Sequence, residues 1–427
     1  MMMVVLIASA QAAAASAPAA LHASPPSCTS ELTGVKSCID VFTKGESVPG
    51  RLTDQNAFRI PGLVYAEGVG LFAFVESYTR NCEAEWNPYK SIAMKKSTDG
   101  GKSWESNASI AADPKVLWPR IDNSSLWDPT PTWDAHTRTL FLTFSREHGN
   151  PNSQLAHKRC RQGVSSCRDL WTIASTNEGR SWQTPLNITA QIGWPALGTQ
   201  ILTAGGGSGI QLPSGRLVVP VYSGWTSNLT PGLHLGSSTL LSDDHGESWR
   251  LGAAVGDTRL CEPTVVRAFG DPNHLIMNMR LENACLEKVK GHCMRVEKMD
   301  CGAGGPQHCR AQSQSTDGGE SWSPRVPVPS LPDPQIKGGI DRWPAGNGAL
   351  VFANAAGVAT GEINTHLTIS ISFDNGQTWP KQKLLWKGGT GYTVLQYVGN
   401  HTAAIFYSRD GKCGVAMTVA LVDLRTL

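Results

Sequence analysis

The octapeptide STDGGKSW at residues 97–104 decides the fold, because the same pattern recurs four more times along the chain. Each copy, called a box here, has the chemistry of a β-hairpin tip. Its Asp or Asn accepts hydrogen bonds from turn amides, its glycine supplies a positive φ, and its tryptophan is buried under the turn. One supersecondary unit therefore recurs across most of the chain. The other boxes are STNEGRSW at 175–182, SDDHGESW at 242–249, STDGGESW at 315–322 and SFDNGQTW at 372–379.

The segments between the boxes are typical of short β-strands separated by Gly, Pro and Asn turns. No change of composition resembling a linker divides residues 53–427, so we expect one domain there. Hairpins repeated at this spacing predict an all-β fold, a six-bladed β-propeller of four-stranded antiparallel blades. Five boxes and a sixth, degenerate unit make the six blades, and the C-terminal strands are expected to close the ring against the N-terminal ones. The apolar runs that predict strands are 71–74, 140–144, 217–221, 275–279, 350–352, 367–371 and 403–407.

The charge balance argues against nucleic acid or an anionic membrane surface as a partner. The 427 residues include 37 Lys and Arg against 35 Asp and Glu, with no block of like charge. Residues 1–26 hold an apolar run too short to span a bilayer, followed by small residues, which predicts a signal peptide. An unstructured Ala-rich leader and a wrongly assigned start codon are the alternatives. Residues 27–52 form an N-terminal extension before the propeller.

Cysteine content favours an oxidising, secretory route. Eleven cysteines are many for a cytosolic enzyme, and five Asn-X-Ser/Thr sequons support the same route weakly. Four cysteines follow one another at eight-residue steps, a spacing that lacks the close pairs of a structural zinc site and favours disulfides in a surface loop. These four are Cys285, Cys293, Cys301 and Cys309. Cys28 with Cys38, and Cys160 with Cys167, are candidate local bridges.

Several further motifs, taken in order with the boxes, resemble the exo-α-sialidases (neuraminidases). They are FRIPG at 58–62, GIQLPSGRLVVP at 209–220, LIMNMR at 275–280 and LPDP at 331–334 followed by GGI at 338–340. The resemblance covers the chain from about residue 53 to its C-terminus. It implies a six-bladed propeller and a glycoside hydrolase that releases terminal sialic acids with retention of configuration.

The resemblance also implies how the substrate's carboxylate is held. Sialidases use three arginines, whose planar guanidinium groups suit bidentate pairing with a carboxylate. Arg59 matches the first and Arg280 the second, but the slot for the third holds Asn364. A neutral Asn in place of a charged pair would cost about 1.5–3 kcal/mol of substrate binding. Arg342 and Arg409 are the candidates that could replace the third arginine.

The same resemblance assigns the catalytic roles. A carboxylate nucleophile would be repelled by the carboxylate of sialic acid, which explains the family's Tyr nucleophile, matched by Tyr392. A tyrosine has an ordinary pKa of about 10 and needs an adjacent base, matched by Glu262. The family's acid/base is an Asp on a loop before the first box. Here that loop, residues 81–89, holds no Asp, so Glu85 is the first candidate and Glu83 the second.

The sequence thus predicts a secreted or lysosomal retaining exo-α-sialidase that acts on sialylated glycans as a monomer, without a metal or other cofactor. Three alternatives stay open: a sialidase-like lectin, a hydrolase of a different acidic sugar, and a trans-sialidase. The presence of both Tyr392 and Glu262 favours an enzyme over a lectin, since binding alone needs neither residue.

Overall fold

The structure is a computed structural model, and its described part is almost entirely β-sheet. The described residues are 34–48, 57–78, 90–113, 117, 124–147, 168–192, 201–226, 233–255, 259–281, 284–289, 292–297, 301, 308–358, 364–410 and 414–427. Helical structure in these ranges includes one short helix, α1 (Ile188–Gln191), capped by the Asn187 side chain, and a 3₁₀ turn at Leu424–Thr426. None of the helices found there is long and apolar enough to cross a membrane.

The described residues contain twenty-six strands. Those before the fourth box are β1 (Val35–Thr43), β2 (Ala57–Ala66), β3 (Gly70–Tyr78), β4 (Ser91–Ser97), β5 (Ser109–Ala112), β6 (Ser125–Asp134), β7 (Thr139–Glu147), β8 (Arg168–Ser175), β9 (Leu186–Asn187), β10 (Ile201–Ala204), β11 (Ile210–Gln211), β12 (Leu217–Thr226), β13 (Leu233–Ser242), β14 (Arg250–Leu251), β15 (Leu260–Arg267), β16 (Leu275–Leu281), β17 (Ala284–Val289), β18 (His292–Glu297) and β19 (Cys309–Ser315). The remaining strands are β20 (Val326–Pro332), β21 (Gly339–Trp343), β22 (Ala349–Val358), β23 (Asn364–Ser372), β24 (Lys381–Tyr397), β25 (Thr402–Arg409) and β26 (Ala416–Asp423).

Hydrogen bonds join these strands into five sheets. Strands β2–β5 form one four-stranded sheet, β15, β16, β19 and β20 form another, and β17 and β18 form a hairpin. A nine-stranded sheet runs from β6 to β14, and a seven-stranded sheet has the order β1-β26-β25-β24-β23-β22-β21. Strand β24 pairs with β23 through its first half and with β25 through its second half. A single parallel bridge joins β8 to β10, and the other strand pairs are antiparallel.

The first and last described strands pair with each other. Strand β1, from the N-terminal extension, lies antiparallel to β26, with Ile39 opposite Val419. Phe42 of β1 packs against Phe58 of β2 and Phe406 of β25, so the N-terminal and C-terminal sheets share one apolar core. Complete burial of such a side chain contributes about 1.5–3 kcal/mol. The C-terminal strands therefore contact the N-terminal segment as expected, and closure of the ring stays a prediction.

The boxes form the hairpin tips that the sequence predicts. In the first box, Asp99 Oδ1 accepts hydrogen bonds from the backbone amides of Lys102 and Ser103 at 3.0 and 2.9 Å. Ser97 Oγ accepts from the Gly101 amide at 2.8 Å, where φ is +93°. The Trp104 indole donates to the Gly101 carbonyl at 3.2 Å. The box side chains are thus engaged in holding their own turns.

The strand and disulfide predictions can be compared with the described residues. Each of the seven apolar runs lies within a strand, which confirms the all-β prediction; closure into six blades stays a prediction. Cys301 and Cys309 form a disulfide in the predicted loop, and Cys38 is also disulfide-bonded. Residues 1–26 and three cysteines, Cys28, Cys160 and Cys167, lie outside the described residues, as do the side chains of Cys285 and Cys293.

Candidate active site

Three strands share the same local distortion, in which a non-glycine residue with positive φ comes directly before a proline. These residues are Ile60 (φ 50°), Asp128 (φ 56°) and Glu262 (φ 42°). The antiparallel register shifts at each point, between Arg59 and Pro61 in β2 and at the matching places in β6 and β15. A residue before proline normally prefers extended backbone, so each distortion costs about 1–3 kcal/mol. Bulges of this kind re-aim side chains and are frequent beside active sites.

The distortion at Glu262 places its carboxylate between two other predicted residues. Tyr392 Oη donates a hydrogen bond to Glu262 Oε1 at 2.6 Å, and Arg280 Nη1 donates to Glu262 Oε2 at 2.8 Å. Arg280 Nη1 also lies 3.3 Å from Tyr392 Oη. Arg280 is directly opposite Cys261 in the β15–β16 pair, whereas Tyr392 comes from β24. The fold thus joins a phenol, a carboxylate and a guanidinium from three strands.

Arg59 lies in the same region. Its side chain is buried at the start of β2, and its positive charge acts on Tyr392. Burial, followed by the negative charge of Glu262, raises the pKa of Tyr392 well above its ordinary value of 10, while Arg280 and Arg59 act in the opposite direction. The phenol therefore keeps its proton at rest. That proton is already shared with Glu262, the group that could accept it.

Asn364 is placed by backbone register close to the tyrosine segment. It is the first residue of β23, it is half-buried, and it pairs with Val358. Its neighbour Thr365 pairs with Gly389, three residues before Tyr392. The side-chain hydrogen bonds described above join Glu262, Arg280 and Tyr392 and do not include Asn364. The sequence candidates Glu85 and Glu83 lie outside the described residues.

The two candidate replacement arginines have partners elsewhere. The Arg342 guanidinium stacks over the Phe269 ring, 4.1 Å from its centroid. Arg409 forms an ion pair with Asp40 of β1, with Nη2 and Oδ2 separated by 2.6 Å. Among the described contacts, neither guanidinium is joined to the Tyr392 hydroxyl or the Glu262 carboxylate. The expectation that one of them replaces the third arginine gains no support from these contacts.

Two buried charged residues near this group were missed by sequence reasoning. Burial, together with the negative charge of Glu76, raises the pKa of Asp128 to about 7. Burial lowers the pKa of Lys337 to about 7, against the opposing effects of Glu262 and Asp128. Lys337 Nζ donates to the Gly205 carbonyl at 3.0 Å. Both residues interact electrostatically with Glu262, so they belong to the same buried polar region.

Asp128 had a usable signal in the sequence, but Lys337 did not. Asp128 precedes a proline at a bulge, as Glu262 does, so comparing the repeats position by position would have selected it. Glu76 stabilises the bulge at Asp128. Its carboxylate accepts hydrogen bonds from the Asp128 amide at 2.9 Å and from Lys90 Nζ at 3.0 Å. A lysine, in contrast, is usually exposed, and nothing in the local sequence marks Lys337 as buried.

The boxes lie at the opposite ends of the strands from this polar group. Ser315 of the fourth box is opposite Leu275 in β16, and Arg280 comes five residues later in the same strand. At 3.3–3.4 Å per residue, that separation is about 17 Å. The group formed by Arg59, Glu262, Arg280 and Tyr392 is called the site end below, and the hairpin tips are called the box end.

Comparison with known proteins identifies the family. A family model described as a BNR repeat-like domain matches residues 70–405. The chain belongs to this family. Among curated relatives, this BNR repeat-like chain is 28% identical to a sialidase of Bacteroides fragilis over 416 residues, covering 92% of the chain and 69% of that protein. It is 29% identical to a sialidase of Micromonospora viridifaciens, covering 82% of the chain and 49% of that protein. Human Sialidase-4 is 28% identical, with 67% and 54% covered.

Solved structures show that the BNR repeat-like chain shares a known fold. The Hadza microbial sialidase Hz136 superposes with a TM-score of 0.68 at 24% identity, covering 87% of this chain and 66% of that one. Trypanosoma rangeli sialidase in complex with the inhibitor DANA superposes with a TM-score of 0.66 at 17% identity, covering 91% and 60%. This chain therefore spans from about half (49%) to about two thirds (66%) of the length of several proteins that it matches.

Proposed function

We propose that this protein is a retaining exo-α-sialidase with a tyrosine nucleophile. The observation that carries the proposal is the hydrogen bond of 2.6 Å from Tyr392 Oη to Glu262 Oε1, with Arg280 bound to the other carboxylate oxygen. A nucleophile within hydrogen-bond reach of a base, which is itself oriented by a third group, is the arrangement required for covalent catalysis. Its sialidase relatives supply the substrate class, terminal sialic acids of glycans.

The proposed reaction has two displacement steps. Arg59 and Arg280 hold the substrate carboxylate while Tyr392 Oη forms a bond to the anomeric carbon and passes its proton to Glu262. The bond from that carbon to the glycosidic oxygen breaks, and Glu85 protonates the leaving oxygen, with Glu83 as the alternative acid. In the second step Glu85 takes a proton from water, whose oxygen replaces Tyr392, and Glu262 returns the phenol proton.

Asn364 sets the expected strength of substrate binding. With two arginines instead of three, the substrate carboxylate loses one charge-assisted pair, which costs about 1.5–3 kcal/mol or roughly 10- to 150-fold in affinity. The proposed enzyme is therefore expected to work with a high KM.

We also infer the remaining organisation from the same observations. Residues 53–427 form one six-bladed propeller, supported by the largely antiparallel sheets, of which β2–β5 and β15, β16, β19 and β20 are four-stranded. The protein follows the secretory route, outside the cell or in the lysosome, supported by the Cys301–Cys309 disulfide.

The test is release of a fluorophore from an α-sialoside by the purified protein beside a Tyr392→Phe variant. We expect the variant to lose at least about 10³-fold in kcat/KM, since the nucleophile is removed while the ring is kept. Tyr397→Phe is the matched control, because Tyr397 lies in the same strand and its hydroxyl accepts from the His401 amide at 3.3 Å. Thermal unfolding of both variants checks that they are folded.

Other results of this assay would distinguish the alternative functions. Equal release by Tyr392→Phe and the unaltered protein would refute the tyrosine mechanism. Saturable binding of sialic acid without release would favour the lectin. Transfer to an added lactose acceptor in preference to water would assign a trans-sialidase. Proton NMR of the first product decides retention, for which the α-anomer of sialic acid must appear before the β-anomer.

A further inference from the structure

A cluster of two histidines and one aspartate lies at the box end, away from the proposed active site. One ligand atom each from Asp134, His136 and His245 lie within 4.8 Å of one another. Asp134 is the last residue of β6, six residues beyond Asp128, and His136 follows in the turn to β7. His245 belongs to the third box. Two imidazoles and a carboxylate are the donor set that zinc and related divalent transition metals prefer.

Hydrogen bonds from four neighbouring groups hold the Asp134 carboxylate in place. Its side chain is fully buried, and Oδ1 accepts from the His136 amide at 2.9 Å and from Gln211 Nε2 at 2.6 Å. Oδ2 accepts from Thr137 Oγ1 at 2.9 Å and from His245 Nδ1 at 2.8 Å. The carboxylate is therefore fixed in position beside the His136 turn and the His245 ring.

His245 occupies a backbone position that does not favour a large side chain. Its φ is 58°, and the same box position holds Gly100 and Gly318 in two of the other copies. Left-handed backbone costs a residue with a Cβ about 1–2 kcal/mol, although His tolerates it better than most. The backbone conformation of His245 is therefore unfavourable, and it directs the imidazole toward the β6–β7 turn.

The two imidazole rings lie close together. Their ring centroids are 5.8 Å apart. A Cβ added at Gly215 would lie 3.3 Å from His136 Nδ1 and 3.6 Å from His245 Cε1. A glycine with φ +96° at this turn therefore leaves room beside both rings. Gln211 ties that turn to the cluster, since its Nε2 also donates to the Gly215 carbonyl at 3.2 Å.

A simpler interpretation is an ion pair between neighbouring hairpins, as occurs at the same box position in the second box. There Glu178 Oε2 binds Lys96 Nζ at 2.7 Å, and Arg180 Nη2 lies 3.7 Å from the same oxygen, so the cluster holds one carboxylate and two cations that have no lone pairs to offer a metal. The third box differs because it adds a second imidazole. The ring nitrogens of two imidazoles 5.8 Å apart can each offer a lone pair to a divalent cation.

We propose that Asp134, His136 and His245 bind a divalent transition metal ion of the zinc class, joining the β6–β7 turn to the third box. The imidazoles supply two nitrogen ligands and Asp134 supplies the carboxylate, so the ion replaces the proton that His245 Nδ1 donates to Asp134 Oδ2. Because both histidines are exposed, water completes the coordination. The ion links two segments about 110 residues apart in sequence and lies at the opposite ends of the strands from Tyr392, so its role is structural.

The experiment is calorimetric titration of the chelator-treated full chain with Zn²⁺, beside a His136→Ala/His245→Asn double variant. Asn is chosen at 245 because it tolerates left-handed backbone. We expect the double variant to lose one equivalent of bound Zn²⁺, and each single variant to bind that equivalent about 10-fold or more weakly. Zn²⁺ should raise the midpoint of thermal unfolding of the unaltered chain more than that of the double variant.

The matched control is His401→Asn, because His401 is also a histidine with positive φ, at 53°, but lies outside the cluster. Its Zn²⁺ stoichiometry should equal that of the unaltered chain. The same stoichiometry and affinity in the double variant, or the absence of any Zn²⁺ heat in the unaltered chain, would overturn the proposal. Ca²⁺ in place of Zn²⁺ should give no difference between the variants, since imidazole nitrogens are poor ligands for that ion.

Discussion

Two aspartates at opposite ends of the strands show how the same side chain is used in two ways. At the box end, Asp99 accepts hydrogen bonds from Ser103 and Ser97 that outweigh burial and lower its pKa to about 2. Near the site end, burial and the charge of Glu76 raise the pKa of Asp128 to about 7. The box carboxylate is saturated with donors and holds a turn. The other carboxyl is held where ionisation is costly, which is typical of a group that handles protons.

The backbone shows the same contrast. Positive φ at the box end falls on glycines such as Gly101, where it costs little, and on three non-glycine turn residues that do not precede a proline: Glu178, His245 and Asn375. At the site end it falls on Ile60, Asp128 and Glu262, each before a proline, where it costs about 1–3 kcal/mol per residue. The difference indicates that the box end supplies stability, and that strain is kept at the site end because it positions side chains.

The largest expected effect comes from Glu262→Gln at the site end. The amide cannot accept the Tyr392 proton, so kcat should fall by about 10²–10⁴-fold with little change in the unfolding midpoint. Steady-state kinetics on the fluorogenic sialoside measures the change. Glu105→Gln is the control, because Glu105 binds the Lys96 amide at 3.0 Å at the box end and should leave kcat unchanged. A normal kcat for Glu262→Gln would mean that Tyr392 has a different base.

A gain of activity is expected from Asn364→Arg. If Asn364 fills the slot of a third arginine, restoring the guanidinium should lower KM by about 10- to 150-fold, with a smaller change in kcat. Kinetics with the same sialoside gives the split between the two constants. Asn364→Lys supplies a positive charge without a planar bidentate group, so it should lower KM less than Asn364→Arg does. If neither variant lowers KM, Asn364 does not occupy that slot.

A change in the pH profile is expected from Asp128→Asn. Above a pKa of about 7, Asp128 becomes an anion beside Glu262 and should weaken binding of the anionic substrate, so kcat/KM falls. Asp128→Asn should keep kcat/KM several-fold higher at pH 8 than the unaltered protein and differ little at pH 5. The stability of the folded chain should also decrease as pH rises. Because the pKa of Asp128 in the folded chain lies above the ordinary value of 3.8, its contribution to stability is lost between about pH 4 and pH 7. If kcat/KM of the variant decreases at high pH as much as that of the unaltered protein, the decrease must come from Lys337 or another group.

The fold could be predicted from the sequence because its signals are local. Residues 97–104 and the four later copies carry their own hydrogen-bond donors, acceptors and glycines, so each hairpin is specified within eight residues. Arg59, Glu262, Arg280 and Tyr392 were selected through ordered motifs measured from those boxes, and the structure joins three of them by hydrogen bonds. Their roles stay a prediction.

The rest depends on contacts between distant segments, which the sequence does not state. Lys337 contacts the Gly205 carbonyl and Thr393 of β24, both distant in sequence, and the Asp134 cluster forms only when two hairpins 109 residues apart pack together. The Arg409–Asp40 pair likewise requires β1 to lie beside β26. Periodicity and spacing identify the repeats, but they do not specify which side chains meet between them.

The smallest effect, and one confined to stability, is expected from Asp99→Ala at the box end. The variant loses the hydrogen bonds of Asp99 to Lys102, Ser103 and Ser97, which by analogy with removal of a helix cap costs about 1–2 kcal/mol. Because the pKa of Asp99 is about 2 in the folded chain against an ordinary 3.8, the carboxylate contributes fully above pH 4 and its contribution is lost as pH falls toward 2. Chemical denaturation at pH 7 and pH 3 should therefore show a smaller difference between variant and unaltered protein at pH 3.

Asp113→Ala, outside the boxes, is the control, and kcat should stay the same in both variants. A loss of kcat in Asp99→Ala without loss of stability would contradict the division of roles between the two ends.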